Sequence, residues 1–266
     1  MGDFLRIERD GAVMTVTMDR PDDRNAITEP AQSAEFVALG EQLARDRSVR
    51  ALVLTGAGKS FCSGGNVKSM REKQGMFAGS PYDQRTFYRT TVQTIGKTLW
   101  ELEVPVIAAI NGHAIGLGFD ITLMCDLRVM AENAVVAESY VKLGIIPGGG
   151  GAWLLPRVVG YARASQMTLT GDPVDAATAL QWGLVSEVLP ADRLLERARE
   201  IAHSIAASPG HATRMAKRLM REGMDQKLPT HLEMAAAYQA LSHHTADHAE
   251  AIEAFLDKRA PEYSDR

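Results

Sequence analysis

The sequence predicts an α/β chain, with strand–helix units forming a core over residues 1–190 and a helical C-terminal region over 191–266. Three observations carry this prediction. Short, mostly apolar runs at 51–55, 104–110 and 127–130 have the length and composition of buried strands. Segments with helical spacing lie between them, as βαβ units require. Beyond Pro190 only helical spacing remains, broken at Ser208-Pro209-Gly210 and at Leu228-Pro229.

Taken in order, residues 4–9 and 12–18 alternate as strands do, and Asp10-Gly11 between them is a hairpin signal. Residues 20–25 read as a loop. Thr28 is placed to cap a helix with Pro30 in its first turn, and Phe36, Leu39 and Leu43 follow helical spacing. After the strand at 51–55 comes a small-residue loop, 56–65, and then a helix over 66–74 capped by Asn66. Gly75, Gly79 and Pro81 mark 75–83 as a mobile loop before a long helix over 84–102. The strand at 104–110 ends in Asn111-Gly112. Gly116-Leu117-Gly118 precedes an apolar helix over 119–125, and Gly148 to Gly151 precede another. No repeat or low-complexity tract interrupts this order.

The composition narrows the function classes. Hydrophobic residues at 45% and charged residues at 23% exclude a disordered, collagen-like or coiled-coil chain. A net charge of -4 argues against a nucleic-acid binder. The longest uncharged apolar stretch, 104–119, carries Pro105, Asn111, Gly112 and His113 and falls short of the roughly 20 residues of a membrane span, so no membrane partner is expected. The first residues lack an apolar signal core. Cys62 and Cys125 have no CxxC spacing, so neither a disulfide framework nor a cysteine metal site is expected, and a cytoplasmic location is the natural reading.

Several motifs come close to known chemistry and miss. Gly58-Lys59-Ser60 suggests a phosphate loop, but Val53 stands where that loop needs glycine. Gly116-Leu117-Gly118 begins a dinucleotide fingerprint, and Ile121 breaks it. Ser63 misses a nucleophile elbow because Phe61 replaces its first glycine. What the two glycine loops share is a strand-to-helix junction, at 62–67 and 114–120, that leaves backbone N–H groups free to attract negative charge. Facing each other they would form an oxyanion hole; alternatively the glycines only permit tight turns. Asp120 sits in the first turn of its helix, either as a favourable partner of the helix dipole or as an acid or base beside that hole. Glu138 reads as a solvated acid, and Asp126 as structural. His244 and His248 have i, i+4 spacing but no third ligand, so no metal site is expected. His113 either lines a pocket or packs.

Together these residues resemble the enoyl-CoA hydratase/isomerase (crotonase) superfamily. The stretch 104–126, VPVIAAINGHAIGLGFDITLMCD, is similar to its signature, and 60–66, SFCSGGN, to its first oxyanion loop. Residues 143–151 (LGIIPGGGG), 169–171 (LTG) and 182–186 (WGLVS) resemble its later landmarks, and Arg20-Pro21 and Asn25-Ala26 its CoA-binding stretch. The resemblance runs from about residue 4 to 258.

The resemblance implies a spiral of ββα turns and a C-terminal helical region used in assembly, as a homotrimer or homohexamer. It implies an acyl-CoA thioester as substrate, with coenzyme A part of that substrate and no further cofactor. The thioester carbonyl would accept hydrogen bonds from the backbone N–H groups of Gly65 and Leu117; glycine is common at the second position, and here it is leucine. Family hydratases carry two glutamates. Their positions hold Asp120 and Tyr140 here, and an aspartate at the first resembles dienoyl-CoA isomerases. Glu138, two residues before Tyr140, would point to the same side in an extended segment and is a candidate for the missing acid. Arg24 and Ala26 are candidate CoA contacts, toward phosphate and adenine. Ser63 and Gly64 would line the pantetheine path, and 75–90 the acyl pocket. The leading expectation is an enoyl-CoA hydratase; the alternatives are an enoyl- or dienoyl-CoA isomerase using Asp120, and a non-catalytic acyl-CoA-binding protein.

Overall fold

The computed structural model describes residues 3–264. Within them run ten strands: β1 (Leu5–Asp10), β2 (Val13–Met18), β3 (Ala51–Gly56), β4 (Ser60–Cys62), β5 (Val106–Ile110), β6 (His113–Ile115), β7 (Leu127–Ala131), β8 (Val135–Ala137), β9 (Val174–Asp175) and β10 (Glu187–Leu189). They form two sheets. The larger has the order β1-β2-β3-β5-β7-β10, and the smaller β4-β6-β8-β9. The β1–β2 hairpin and the β8–β9 pair are antiparallel; the remaining pairs are parallel.

Three times the chain lays one strand in the large sheet and the next in the small one: β3 then β4, β5 then β6, β7 then β8. A helical segment completes each turn: Val67–Glu72, Leu117–Met124, and the 3-10 turn Ser139–Leu143. This is the ββα spiral that the resemblance implies. The pattern of apolar runs finds only one strand per turn, because β4, β6 and β8 have three residues each and no period can register.

β3 and β5 are buried along their whole length, which explains why their sequences run apolar rather than alternating. The helix Leu194–Ala206 lies against β2, β3, β5 and β7 with Ala198, Ala202 and Ala206 buried. Small residues one turn apart let it approach the sheet closely. A boundary at 190 therefore falls before a helix that packs on the sheet. The helix Pro30–Arg45 buries Phe36, Leu39 and Leu43 and packs on the helix Val92–Glu101. Each such side chain contributes roughly 1.5–3 kcal/mol of burial.

Several boundaries differ from the expectation for local reasons. Glu29, not Thr28, occupies the N-cap, and the Gln32 side chain accepts from the N–H groups of both Thr28 and Glu29. The segment 75–83 is structured: Gly75–Phe77 forms a 3-10 turn, and Ser80 caps the helix Pro81–Thr90. The long helix is two helices, parted at Thr91, where φ and ψ are -129° and -82°. The helix Gly210–Glu222 is clamped to the core by Asp126, which accepts from Lys217 Nζ at 2.7 Å and Arg221 at 2.8 Å. Asp126 is structural, as its position suggests. No described helix is long and apolar enough to cross a membrane.

Asn25 ties the N-terminal loop to the approach of β4. Its Nδ2 donates to the carbonyls of Ala57 (3.0 Å), Ser60 (2.8 Å) and Phe61 (3.2 Å), and its Oδ1 accepts from the Arg20 N–H at 2.9 Å. The residue is fully buried and left-handed, with φ 55°. Asn25→Ala strands these partners and places alanine at positive φ. Chemical unfolding should show a loss of at least about 2 kcal/mol; an unchanged midpoint would contradict this role.

Candidate active site

β4 and β6 run side by side, with Cys62 opposite Ala114, so the segments leaving them also run side by side. The contact is backbone on backbone. A Cβ on Gly118 would lie 2.0 Å from the Cys62 carbonyl oxygen, and one on Gly64 would lie 2.6 Å from that of Ile115. Gly64 also has φ +75°, which other residues rarely adopt. Both glycines are therefore steric requirements of the approach. Two further bonds, Ser63 N–H to Arg24 O (3.0 Å) and Ile27 N–H to Gly64 O (2.9 Å), fasten the first junction to the N-terminal loop, and Gly116 N–H to Ala137 O (2.8 Å) fastens the second to β8.

Gly65 and Leu117 both line one cavity of about 270 Å³ at this junction. Among the described residues the Gly65 N–H has no hydrogen-bond acceptor. Leu117 opens its helix, where an N–H has no carbonyl one turn back to bond. The wall beyond is apolar: Met70, Met76, Phe77, Val92, Leu143 and Ile145, with the phenols of Tyr88 and Tyr140. Met76, Phe77 and Tyr88 come from the segment expected to form such a wall. A larger cleft of about 570 Å³ lies away from both glycine junctions, lined by Glu41, Arg47, Glu101, Glu103 and Arg214 among others; it lacks their paired amide donors.

Three ionisable side chains gather behind the second junction. Asp120 is fully buried one turn into its helix, and its Oδ2 accepts from the Tyr140 hydroxyl at 2.9 Å. Glu138 is also fully buried beside Asp120, so it is neither a solvated acid nor a lining residue of the cavity. The extended geometry expected for 138–140 is absent: Glu138 has φ -94° and ψ 57° and precedes a 3-10 turn. Glu138 and Tyr140 nevertheless converge, because the turn swings both toward Asp120. Burial drives the Asp120 carboxyl above its ordinary range, while Glu138, the Tyr140 hydroxyl and the nearby amides of Gly151 and Gly149 pull it back. Burial and the adjacent Asp120 push the Glu138 carboxyl up to about 10. Tyr140 is raised well above the ordinary phenol value, first by burial and then by the two acids.

Arg24 is exposed on the loop bonded to Ser63. Ala26 is buried with its N–H given to Asp23 and its carbonyl accepting from Gln32 at 2.7 Å. Ser63 lines the cavity and Gly64 is buried behind it. Asn66 caps its helix by accepting from Lys68 and Ser69. His113 is exposed rather than packed. His248 faces His243 at 2.9 Å rather than His244, and no cluster of three or more metal-ligating side chains occurs among the described residues. Met70, Val92 and Lys142 also line the cavity and lie outside the stretches that sequence reasoning assigned to it; Tyr88 falls within 75–90, and Gly149 within the glycine run 148–151.

Comparison with known proteins follows the same lines. The family model described as enoyl-CoA hydratase/isomerase matches residues 8–266. The 1,2-epoxyphenylacetyl-CoA isomerase of Escherichia coli K12 is 34% identical over 99% of both chains. The 2,3-dehydroadipyl-CoA hydratase of the same organism is 36% identical over 98% of this chain and 99% of its own. A crystal structure of enoyl-CoA hydratase from Bacillus anthracis superposes with a TM-score of 0.93 at 33% identity, covering 99% of this chain and 100% of that one.

The raised Glu138 carboxyl makes stability depend on pH. A group whose folded pKa lies above its unfolded value stabilises the fold below the unfolded value, here 4.5, and that contribution is lost as pH rises toward about 10. Asp120 acts in the same direction. Thermal unfolding across this window should show the wild type losing stability more steeply than Glu138→Gln, whose amide does not titrate. Parallel curves would mean that Glu138 ionises as freely in the fold as outside it.

Proposed function

The chain belongs to the enoyl-CoA hydratase/isomerase family, and from that premise we propose that this acyl-CoA-processing enzyme adds water across the double bond of an enoyl-CoA. The observation that supports this reading is one cavity carrying the Gly65 and Leu117 amides, an apolar wall, and the Tyr140 hydroxyl bonded to buried Asp120.

In this proposal the thioester oxygen sits against the N–H groups of Gly65 and Leu117. Charge moves onto that oxygen when a nucleophile attacks Cβ, and fixed donors out of bulk water stabilise it as it forms. Water bound at Tyr140 gives a proton to the phenol oxygen as the phenol proton passes to Asp120 Oδ2. The resulting hydroxide adds to Cβ and the enolate forms. The proton then returns along the same path to Cα, so Asp120 and Tyr140 end unchanged and one water has been consumed. No cofactor beyond the substrate's own CoA takes part. Exposed Arg24 is set to meet a CoA phosphate. Ser63 and Gly64 flank the pantetheine path, and the second lone pair of the Ala26 carbonyl is available to the adenine amine.

One observation favours a second reading. Tyr140 stands where a second carboxylate is expected, so Asp120 is the carboxylate bonded to the cavity wall. A single base returning its proton to Cγ rather than adding water is a double-bond isomerase, and one relative is an isomerase by name.

For assembly we propose a homotrimer or homohexamer built through the C-terminal helices. Leu228, Leu232, Leu241, Phe255 and Leu256 are large apolar side chains exposed there, which supports burial against another copy. Two buried free cysteines fit a cytoplasmic location.

The test is loss of conjugated-thioester absorbance with crotonyl-CoA, then with a dienoyl-CoA. Hydration of crotonyl-CoA is expected; turnover of the dienoyl-CoA alone would favour the isomerase, and turnover of neither would contradict both. Asp120→Asn should lower turnover at least roughly a hundredfold. Full activity in that variant would remove Asp120 from the reaction.

A further inference from the structure

Glu138 is a fully buried acid that does not line the cavity, and among the described residues no cation balances it. Both of its carboxyl oxygens, and Oδ1 of Asp120, are buried with no hydrogen-bond partner if both acids are ionised. The two residues press on the same glycine: a Cβ on Gly151 would lie 2.1 Å from Glu138 Oε1 and 2.2 Å from Asp120 Oδ1. The N–H groups of Gly149 and Gly151 bear on Asp120 electrostatically, yet none is aligned to bond Oδ1. The two acids face each other from Leu117–Met124 and from the start of the 3-10 turn, and the other titratable groups beside them are phenols: Tyr140 from that turn, and Tyr88 from Pro81–Thr90 beyond Tyr140. Tyr140 has one proton to give, and Asp120 Oδ2 takes it.

Two carboxylates cannot both hold charge in such a place. Desolvation and mutual repulsion each raise the second ionisation, as in other buried carboxyl pairs. A single proton between them removes one of the two charges and gives Oδ1 and Oε1 one hydrogen bond in place of two unsatisfied acceptors. We propose that Glu138 is a positioning residue acting through Asp120: the two carboxyls share one proton on the Gly151 side, which leaves Asp120 Oδ2 as the one basic oxygen presented to Tyr140. Glu138 therefore never meets substrate. It fixes the Asp120 carboxyl in one rotation, and its shared proton sets the alkaline limit of the working range. The inference rests on the reading that Asp120 and Tyr140 move the substrate proton. Gly151 is glycine because any side chain would wedge the pair apart.

Infrared spectroscopy of the ligand-free, full-length protein tests the proton directly. The wild type should show the C=O stretch of a protonated, buried carboxylic acid at neutral pH, and Glu138→Gln should lack it. In Asp120→Asn the band should remain but titrate away at lower pH than in the wild type, because the neighbouring negative charge is gone. Steady-state kinetics with crotonyl-CoA supplies the second readout. Glu138→Gln should lower kcat at least about tenfold, leave KM unmoved, and lose the alkaline limb that the wild type shows as pH nears about 10. A wild type with no protonated-acid band, or a Glu138→Gln protein that keeps both the band and the alkaline limb, overturns the proposal. If Glu138→Gln fails to fold, the wild-type and Asp120→Asn titrations decide it. A wild type inert toward crotonyl-CoA would overturn the hydratase reading while the infrared result still decides the shared proton.

Discussion

The cavity exists because two stretches of backbone touch with no side chain between them. Gly64 lies against the carbonyl of Ile115, and Gly118 against that of Cys62. At such distances a single methyl group on either glycine would force β4 and β6 apart. The Gly65 and Leu117 amides occupy the ends of these two segments, so their placement follows from strand pairing rather than from any side chain. This also explains why leucine is tolerated at position 117: the side chain can change while the donor belongs to the main chain. The substitution still has a consequence, since a Cβ on Gly149 would sit 2.7 Å from a Leu117 methyl, which leaves little room on that side of the cavity.

A second constraint concerns charge. Among the described residues no cation accompanies Asp120, Glu138 and Tyr140, whereas a buried lysine elsewhere has an acid beside it. Lys217, held down to about 8 by burial, pairs with Asp126, which also receives Arg221. That cluster fastens a C-terminal helix, and its one acid meets two cations. The Asp120 cluster is the opposite arrangement: it trades stability at high pH for a carboxylate of raised basicity. Uncompensated burial of this kind marks sites of proton transfer more often than sites of packing.

Much of this was legible in the residues. The large-sheet strands β3 and β5 show as apolar runs because they are buried along their whole length, and β7 shows by its buried end, Val129 to Ala131. The Gly65 and Leu117 junctions show as glycine-rich turns before helices, and Asp120 shows by its place in the first turn. The small-sheet strands did not show, because three residues carry no period. Glu138 was the least legible of the site residues. An acid between alanine and serine looks solvated, and only the tertiary fold reveals that the 3-10 turn buries it against Asp120. The break at Thr91 was hidden as well, since apolar spacing continues across it, and Thr91 differs from its helical neighbours only in backbone angle.

The proposed chemistry depends on where the thioester oxygen sits, and a crystal structure with a bound, unreactive acyl-CoA measures that. The oxygen is expected within about 3 Å of both the Gly65 and Leu117 nitrogens, with the acyl chain running along Met76, Phe77 and Tyr88. An acyl-CoA whose carbonyl touches only one of these amides, or which settles in the charged cleft between the helices instead, would contradict it.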